Sequence, residues 1–142
     1  MAFDKRIKAL PVRLKQQGES GLKIAEFLEK HPKVERVHYP GLKSSEDYEL
    51  SKKQMKGYTG LISFELKNKS FQELIKVINS CKVFKIGVSW GGYESLILSE
   101  FRGNNQEHLE EIKVSSSLIR LSVGFEPVEL LINDISNALN SI

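Results

Sequence analysis

The chain has 142 residues, 40% of them hydrophobic and 27% charged, with 21 basic and 18 acidic side chains and a formal net charge of +3. This suits one domain able to bury roughly 68–70% of its unfolded surface, and it is too mildly basic to imply nucleic acid. A single cysteine, Cys81, excludes an internal disulfide, no Cys/His spacing suits a metal, and no apolar run is long enough for a membrane span.

The first 30 residues read as helix. Phe3, Ile7, Leu10 and Leu14 recur at three- and four-residue steps, and Ile24, Ala25, Phe27 and Leu28 resume the pattern after Gly18 and Gly21. Pro11 is expected to kink this helix or to mark where one begins. Lys5, Arg6, Lys8, Arg13 and Lys15 make its start basic, which reads as a solvated face. The opening Met-Ala-Phe-Asp-Lys-Arg brings charge at once and is no secretory signal, so a cytoplasmic protein is expected. His31-Pro32 stops the helix, and Val34, Val37 and Tyr39 make a short strand closed by Pro40-Gly41.

Ser44-Ser45-Glu46 opens a second helix that Gly57 is expected to cap. Leu61 to Leu66 is the best strand in the sequence. Ser70 and Glu73 have capping-box spacing, ahead of the apolar stripe Phe71, Leu74, Ile75 and Ile78. Val83 to Val88 reads as a strand, and Glu94 to Leu98 as a continuation after a glycine turn. Residues 99–116 read as a long loop with one helical turn around Glu107 to Ile112. Ser117 to Val123 is the last strand, and Pro127 stands as a first helical residue before Val128, Leu131, Ile135 and Leu139. This order predicts an α/β (α+β) domain: a small mixed sheet, mostly antiparallel, with helices on one face.

Two segments carry the chemistry. Val88-Ser89-Trp90-Gly91-Gly92-Tyr93-Glu94-Ser95-Leu96 joins paired glycines to two aromatics and two serines. Adjacent glycines serve no core strand, and they suit a sharp turn or a close approach to a bound group. Ser117-Leu118-Ile119-Arg120-Leu121-Ser122-Val123-Gly124 places one arginine among apolar neighbours, where an unpaired guanidinium would be costly. Arg120 therefore needs a carboxylate, from the protein as a structural salt bridge or from a ligand as a bidentate pair. Ser89 and Trp90 can donate to the same anion, although packing alone would also account for Trp90. His31, His38 and His108 share no motif with a nucleophile, and His108 reads as loop surface. Cys81 reads as an inert buried thiol. No nucleotide-binding loop, hydrolase elbow or zinc-protease motif is present.

These segments resemble the C-terminal domain of the pyridoxal-phosphate enzymes of cysteine and methionine metabolism, the cystathionine β-lyase and γ-synthase group. The resemblance rests on Leu10-Pro11-Val12-Arg13, His31-Pro32-Lys33-Val34, Tyr39-Pro40-Gly41-Leu42, Gly60-Leu61-Ile62-Ser63-Phe64, Glu94-Ser95-Leu96 and Ile119-Arg120-Leu121-Ser122-Val123-Gly124. Ser89-Trp90-Gly91-Gly92-Tyr93 is nearer to cystathionine β-lyase, because other members more often carry leucine in place of Trp90. The loop 99–116 lacks a Thr-His pair that many γ-type relatives carry.

The resemblance implies the small C-terminal domain of a fold-type I pyridoxal-phosphate enzyme. Residues 1–30 would link to an absent N-terminal cofactor domain, and residues 31–142 would bind substrate. It implies that Arg120 pairs with the α-carboxylate of an amino-acid substrate, that Ser89 helps hold it, and that Trp90 lines the pocket. Glu94 and Ser95 would shape the turn. The implied activity is a carbon–sulfur lyase of transsulfuration and methionine biosynthesis, converting cystathionine to homocysteine, pyruvate and ammonia. Pyridoxal 5'-phosphate would be held elsewhere, since no lysine here matches the cofactor lysine. The chain alone is therefore expected to be inactive, with no catalytic, cofactor-binding or metal residue of its own. A homo-oligomer, tetrameric in the full-length family, is implied, without nucleic acid or membrane. The alternatives are a γ-synthase or γ-lyase member, or a non-catalytic ferredoxin-like binding module.

Overall fold

A computed structural model describes residues 2–142, with side chains from Ile7 onward; Phe3, Lys5 and Arg6, counted in the helix pattern above, lie outside the described side chains. The element order is α1 (Ala2–Glu29), β1 (Val34–His38), α2 (Tyr48–Gln54), β2 (Leu61–Leu66), α3 (Phe71–Ser80), β3 (Lys85–Ile86), β4 (Leu96–Leu98), α4 (Gln106–Glu111), β5 (Leu118–Ser122) and α5 (Val128–Leu139). The strands form one mixed sheet in the order β1-β2-β5-β4-β3. Three of its pairings are antiparallel and only β3 with β4 is parallel. Among the described residues, no helix is long and apolar enough to cross a membrane.

Alternation along the central strands divides the two faces of the sheet. Ile62, Phe64 and Leu66 of β2 and Ile119 and Leu121 of β5 are almost fully buried and share one core with residues of α1, α3 and α5. Arg120 lies on the opposite face, in register with Ser63 of β2 and Leu98 of β4. The C-terminal half of α1 joins the core through Ile24, Ala25 and Leu28, whereas Ile7, Leu10, Val12 and Leu14 stay exposed.

Pro11 neither starts nor ends α1, which runs through it. The carbonyl that Pro11 leaves without a donor belongs to Ile7, on the exposed half of the helix, where water can satisfy it. Gly18 interrupts the apolar stripe for a packing reason, because a Cβ there would collide with the Tyr58 carbonyl oxygen.

Several expected boundaries move. The second helix starts at Tyr48 and ends at Gln54; the extended residue Met55 closes it, so Gly57 is no cap. Ser70 does precede α3, but its hydroxyl donates to Gln72 at 3.1 Å, and Glu73 accepts from Asn68 at 2.9 Å, so the capping-box bonds are replaced. Pro127 is the cap of α5, one residue before the helix. His108 belongs to α4, not to loop.

The third strand shrinks from the expected Val83–Val88 to Lys85 and Ile86. The Gly87 N–H still donates to the Ile97 carbonyl on β4 at 3.3 Å, but the other flanking groups bond to side chains. The buried Asp134 carboxylate on α5 accepts the N–H groups of Lys82, Val83 and Phe84 at 2.8, 2.9 and 3.0 Å. On the other side, the carbonyls of Gly87, Val88 and Ser89 accept from Arg120.

Candidate functional site

The half-buried Arg120 projects from the middle of β5 toward the segment that follows β3. Its Nη2 donates to the carbonyls of Gly87, Val88 and Ser89 at 3.2, 3.0 and 3.3 Å. Its guanidinium carbon stands 5.8 Å from the centroid of the Trp90 ring, within range for a cation–π contact. Its Nε–H is buried without a hydrogen-bond partner. The arrangement brings Arg120 to the backbone carbonyl of Ser89 and to the ring of Trp90. No carboxylate of the chain pairs with Arg120 among the described bonds, so the structural salt bridge is not formed; backbone carbonyls take its place.

The turn owes its course to Gly91 and to a buried serine. Gly91 has φ 68°, a left-handed conformation that glycine adopts without steric cost, and its N–H donates to Ser122 Oγ at 3.2 Å. Ser95 is fully buried. Its N–H and hydroxyl donate to the two Glu126 oxygens at 2.9 and 2.7 Å, and its Oγ accepts the Gly124 N–H at 2.8 Å. Ser95 thereby ties the exit of the turn to the end of β5. Glu94 is exposed and makes no comparable bond among those described.

Two residues that the sequence did not single out as site residues also reach the turn. Arg13 Nη2 donates to the Gly91 carbonyl at 2.6 Å, and Gln17 Nε2 to the Gly92 carbonyl at 2.8 Å. The sequence alone places Arg13 on a solvated face, and the structure corrects this. The available signal was its spacing: residues four apart share a helix face, so Arg13 and Gln17 form a paired donor edge. A cavity of about 360 Å3 opens beside the turn, lined by Leu14, Gln17, Leu61, Trp90, Gly91 and Ser122 among others. Arg120 does not line it. A larger groove of about 680 Å3 runs between α1 and residues 56–59, with Pro11, Leu14, Leu22 and Tyr58 in its walls. Among the described residues, no cluster of His, Cys, Asp and Glu could hold a metal.

A small mixed sheet, helices on one face and an arginine held against a glycine turn define a small α/β domain. The sequence matches the family described as Cys/Met metabolism PLP-dependent enzyme over residues 2–140, and the chain belongs to that family. It is 43% identical to a cystathionine beta-lyase of Escherichia coli (strain K12) over 91% of this chain and 33% of that protein. It is 41% identical to a cystathionine gamma-lyase of Dictyostelium discoideum over 94% of this chain and 35% of that protein. An L-methionine gamma-lyase of Fusobacterium nucleatum subsp. polymorphum is 37% identical over 96% and 35%. The chain thus spans about a third of the length of these curated relatives. Membership of this family replaces the alternative of a ferredoxin-like binding module.

The family depends on pyridoxal phosphate. The groups that meet at the turn do not fit that cofactor. Arg120, Arg13, Gln17 and Ser122 are engaged with backbone, and no lysine amine stands among them to meet an aldehyde.

Proposed function

We propose that the chain is the substrate-binding C-terminal small domain of a pyridoxal-phosphate-dependent carbon–sulfur lyase of the cystathionine β-lyase type, with Arg120 holding the substrate α-carboxylate. Ser89 stands beside that carboxylate and Trp90 walls the pocket. The whole enzyme converts cystathionine to homocysteine, pyruvate and ammonia. The helix over residues 1–30 joins this unit to a cofactor-binding domain on further polypeptide, in a cytoplasmic homo-oligomer. Without that domain, and its cofactor lysine, the chain does not turn over substrate.

The observation that carries this reading is the buried, unpartnered Nε–H of Arg120 beside Ser89 and Trp90. A buried donor without an acceptor costs free energy in the free protein. A carboxylate arriving at the Nε–H supplies the missing acceptor, and a planar two-bond pair forms if it also takes an Nη2 hydrogen from the three carbonyls that now share it. The β-lyase type rests on Trp90; identities of 43% and 41% to a β-lyase and a γ-lyase do not separate the two. Arg120 orients the substrate and moves no proton. A charged hydrogen bond of this kind contributes about 1.5–3 kcal/mol. In an enzyme carrying this chain, Arg120→Ala is expected to lower kcat/KM for cystathionine by roughly ten- to a hundredfold. Near-normal kinetics in that variant would rule out the carboxylate role.

A further inference from the structure

The bend that presents Ser89 and Trp90 has little packing to hold it. Val88, Trp90 and Tyr93 are largely exposed, Trp90 at 66%. Two adjacent glycines give its backbone the widest conformational freedom a chain offers. Its place is set by polar bonds from two elements. Arg120 and Ser122 hold it from β5, and Arg13 and Gln17 hold it from α1. Arg13 reaches both limbs of the bend. It donates to Gly91, and its guanidinium carbon lies 5.7 Å from the ring centroid of Phe125, whose own N–H donates to the Tyr93 carbonyl at 2.9 Å. In this position its Nε–H is buried without a partner. A solvated arginine on an exposed helix face would avoid that cost.

We propose that Arg13, assisted by Gln17, is a positioning residue for the carboxylate site. It fixes the bend from α1, so that Ser89 and Trp90 stand at a set distance from Arg120, and it does not touch the substrate. The proposal rests on the reading of Arg120 given above. Its physical basis is that a displacement of about 1 Å in a binding group can cost up to a hundredfold in rate, and paired glycines oppose no such displacement by themselves.

Trp90 is the only tryptophan of the chain, so its fluorescence reports on the bend directly. In the 142-residue chain, Arg13→Ala is expected to lower Trp90 anisotropy and to raise its quenching by acrylamide. Helix content should hold, because alanine is the strongest helix former. Arg13→Lys keeps a donor for Gly91 without the planar face toward Phe125, and should fall between the two. Gln17→Met removes only the bond to Gly92 and should shift Trp90 in the same direction, giving a second route should Arg13→Ala fold poorly. In an enzyme carrying this chain, Arg13→Ala should lower kcat/KM for cystathionine by roughly tenfold, with partial rescue by Arg13→Lys. Unchanged Trp90 anisotropy and quenching in Arg13→Ala and Gln17→Met would overturn the proposal. Loosened Trp90 with turnover lost only in Arg120→Ala would overturn the positioning role. Loosened Trp90 with normal turnover in Arg120→Ala as well would overturn the carboxylate reading itself.

Discussion

The guanidinium of Arg120 and the indole of Trp90 face each other at 5.8 Å, and the same guanidinium holds the carbonyl of Ser89, the residue just before the indole. One side chain on a central strand therefore contacts both the backbone of the bend and its indole. A lysine at this position keeps the charge but loses the fork that meets several acceptors at once. In an enzyme that carries this chain and has the proposed activity, Arg120→Lys is expected to reduce kcat/KM for cystathionine less than Arg120→Ala, yet still by roughly fivefold or more. It should also leave Trp90 more open to acrylamide. Steady-state kinetics and fluorescence quenching on the two variants check this.

Asp134 anchors the opposite end of the same segment. Its carboxylate receives three consecutive backbone N–H groups, and that of Phe84 is fully buried. Asp134→Ala strands these donors and should destabilise the fold by about 3 kcal/mol, with a smaller loss for Asp134→Asn, whose carbonyl oxygen still accepts. Urea unfolding midpoints distinguish the two variants.

Stability should fall on mild acidification through His31. Burial of the ring holds its pKa below the ordinary 6.5; a hydrogen bond with Asn140 partly opposes this, and the Lys33 charge adds to it. Its Nδ1 accepts the Lys33 N–H at 3.3 Å, which a protonated ring cannot do. The unfolded chain thus takes up this proton first, and the contribution, complete above 6.5, is lost as pH falls from there toward the folded-state value. Glu65 acts in a lower window. Burial pushes its carboxyl up, but hydrogen bonds from His38 and Ser115 and the charges of His38 and Arg36 outweigh it, so the value lies below 4.5. Its contribution is present above that pH and is lost as pH falls through the lowered value. His31→Gln should flatten thermal stability on the acid side of pH 6.5 and leave the lower, Glu65 limb in place.

Cys81 should resist alkylation. Burial, and then the negative charge of Asp134, raise its pKa from 9.0 to about 12. The thiolate is the nucleophile, so modification by iodoacetamide at mildly alkaline pH should be at least roughly tenfold slower than in the urea-unfolded chain. Asp134→Asn should narrow that gap. Reaction in native buffer at the unfolded rate would contradict it.

Much of the fold was legible because burial imposes period. The strands Leu61 to Leu66 and Leu118 to Ser122 and the helix Val128 to Leu139 follow from alternation and from the helical stripe. Boundaries set by side chains from distant sequence were not legible. Local pattern extends the third strand to Val88, and it cannot show that Asp134 and Arg120 will take up the backbone groups at its two ends. The role of Arg13 is hidden from local pattern for the same reason. On a helix surface it resembles its lysine neighbours, and only the fold brings Gly91 and Phe125 to it.

By itself, the order of residues carried the resemblance to the family through its motifs, and most of the helix and strand content, because the latter depends on short-range spacing. Tertiary structure alone decided that two arginines from α1 and β5 brace one glycine bend. Hydrogen bonds between segments far apart in the chain depend on where the packed core places each backbone, and no local period encodes that.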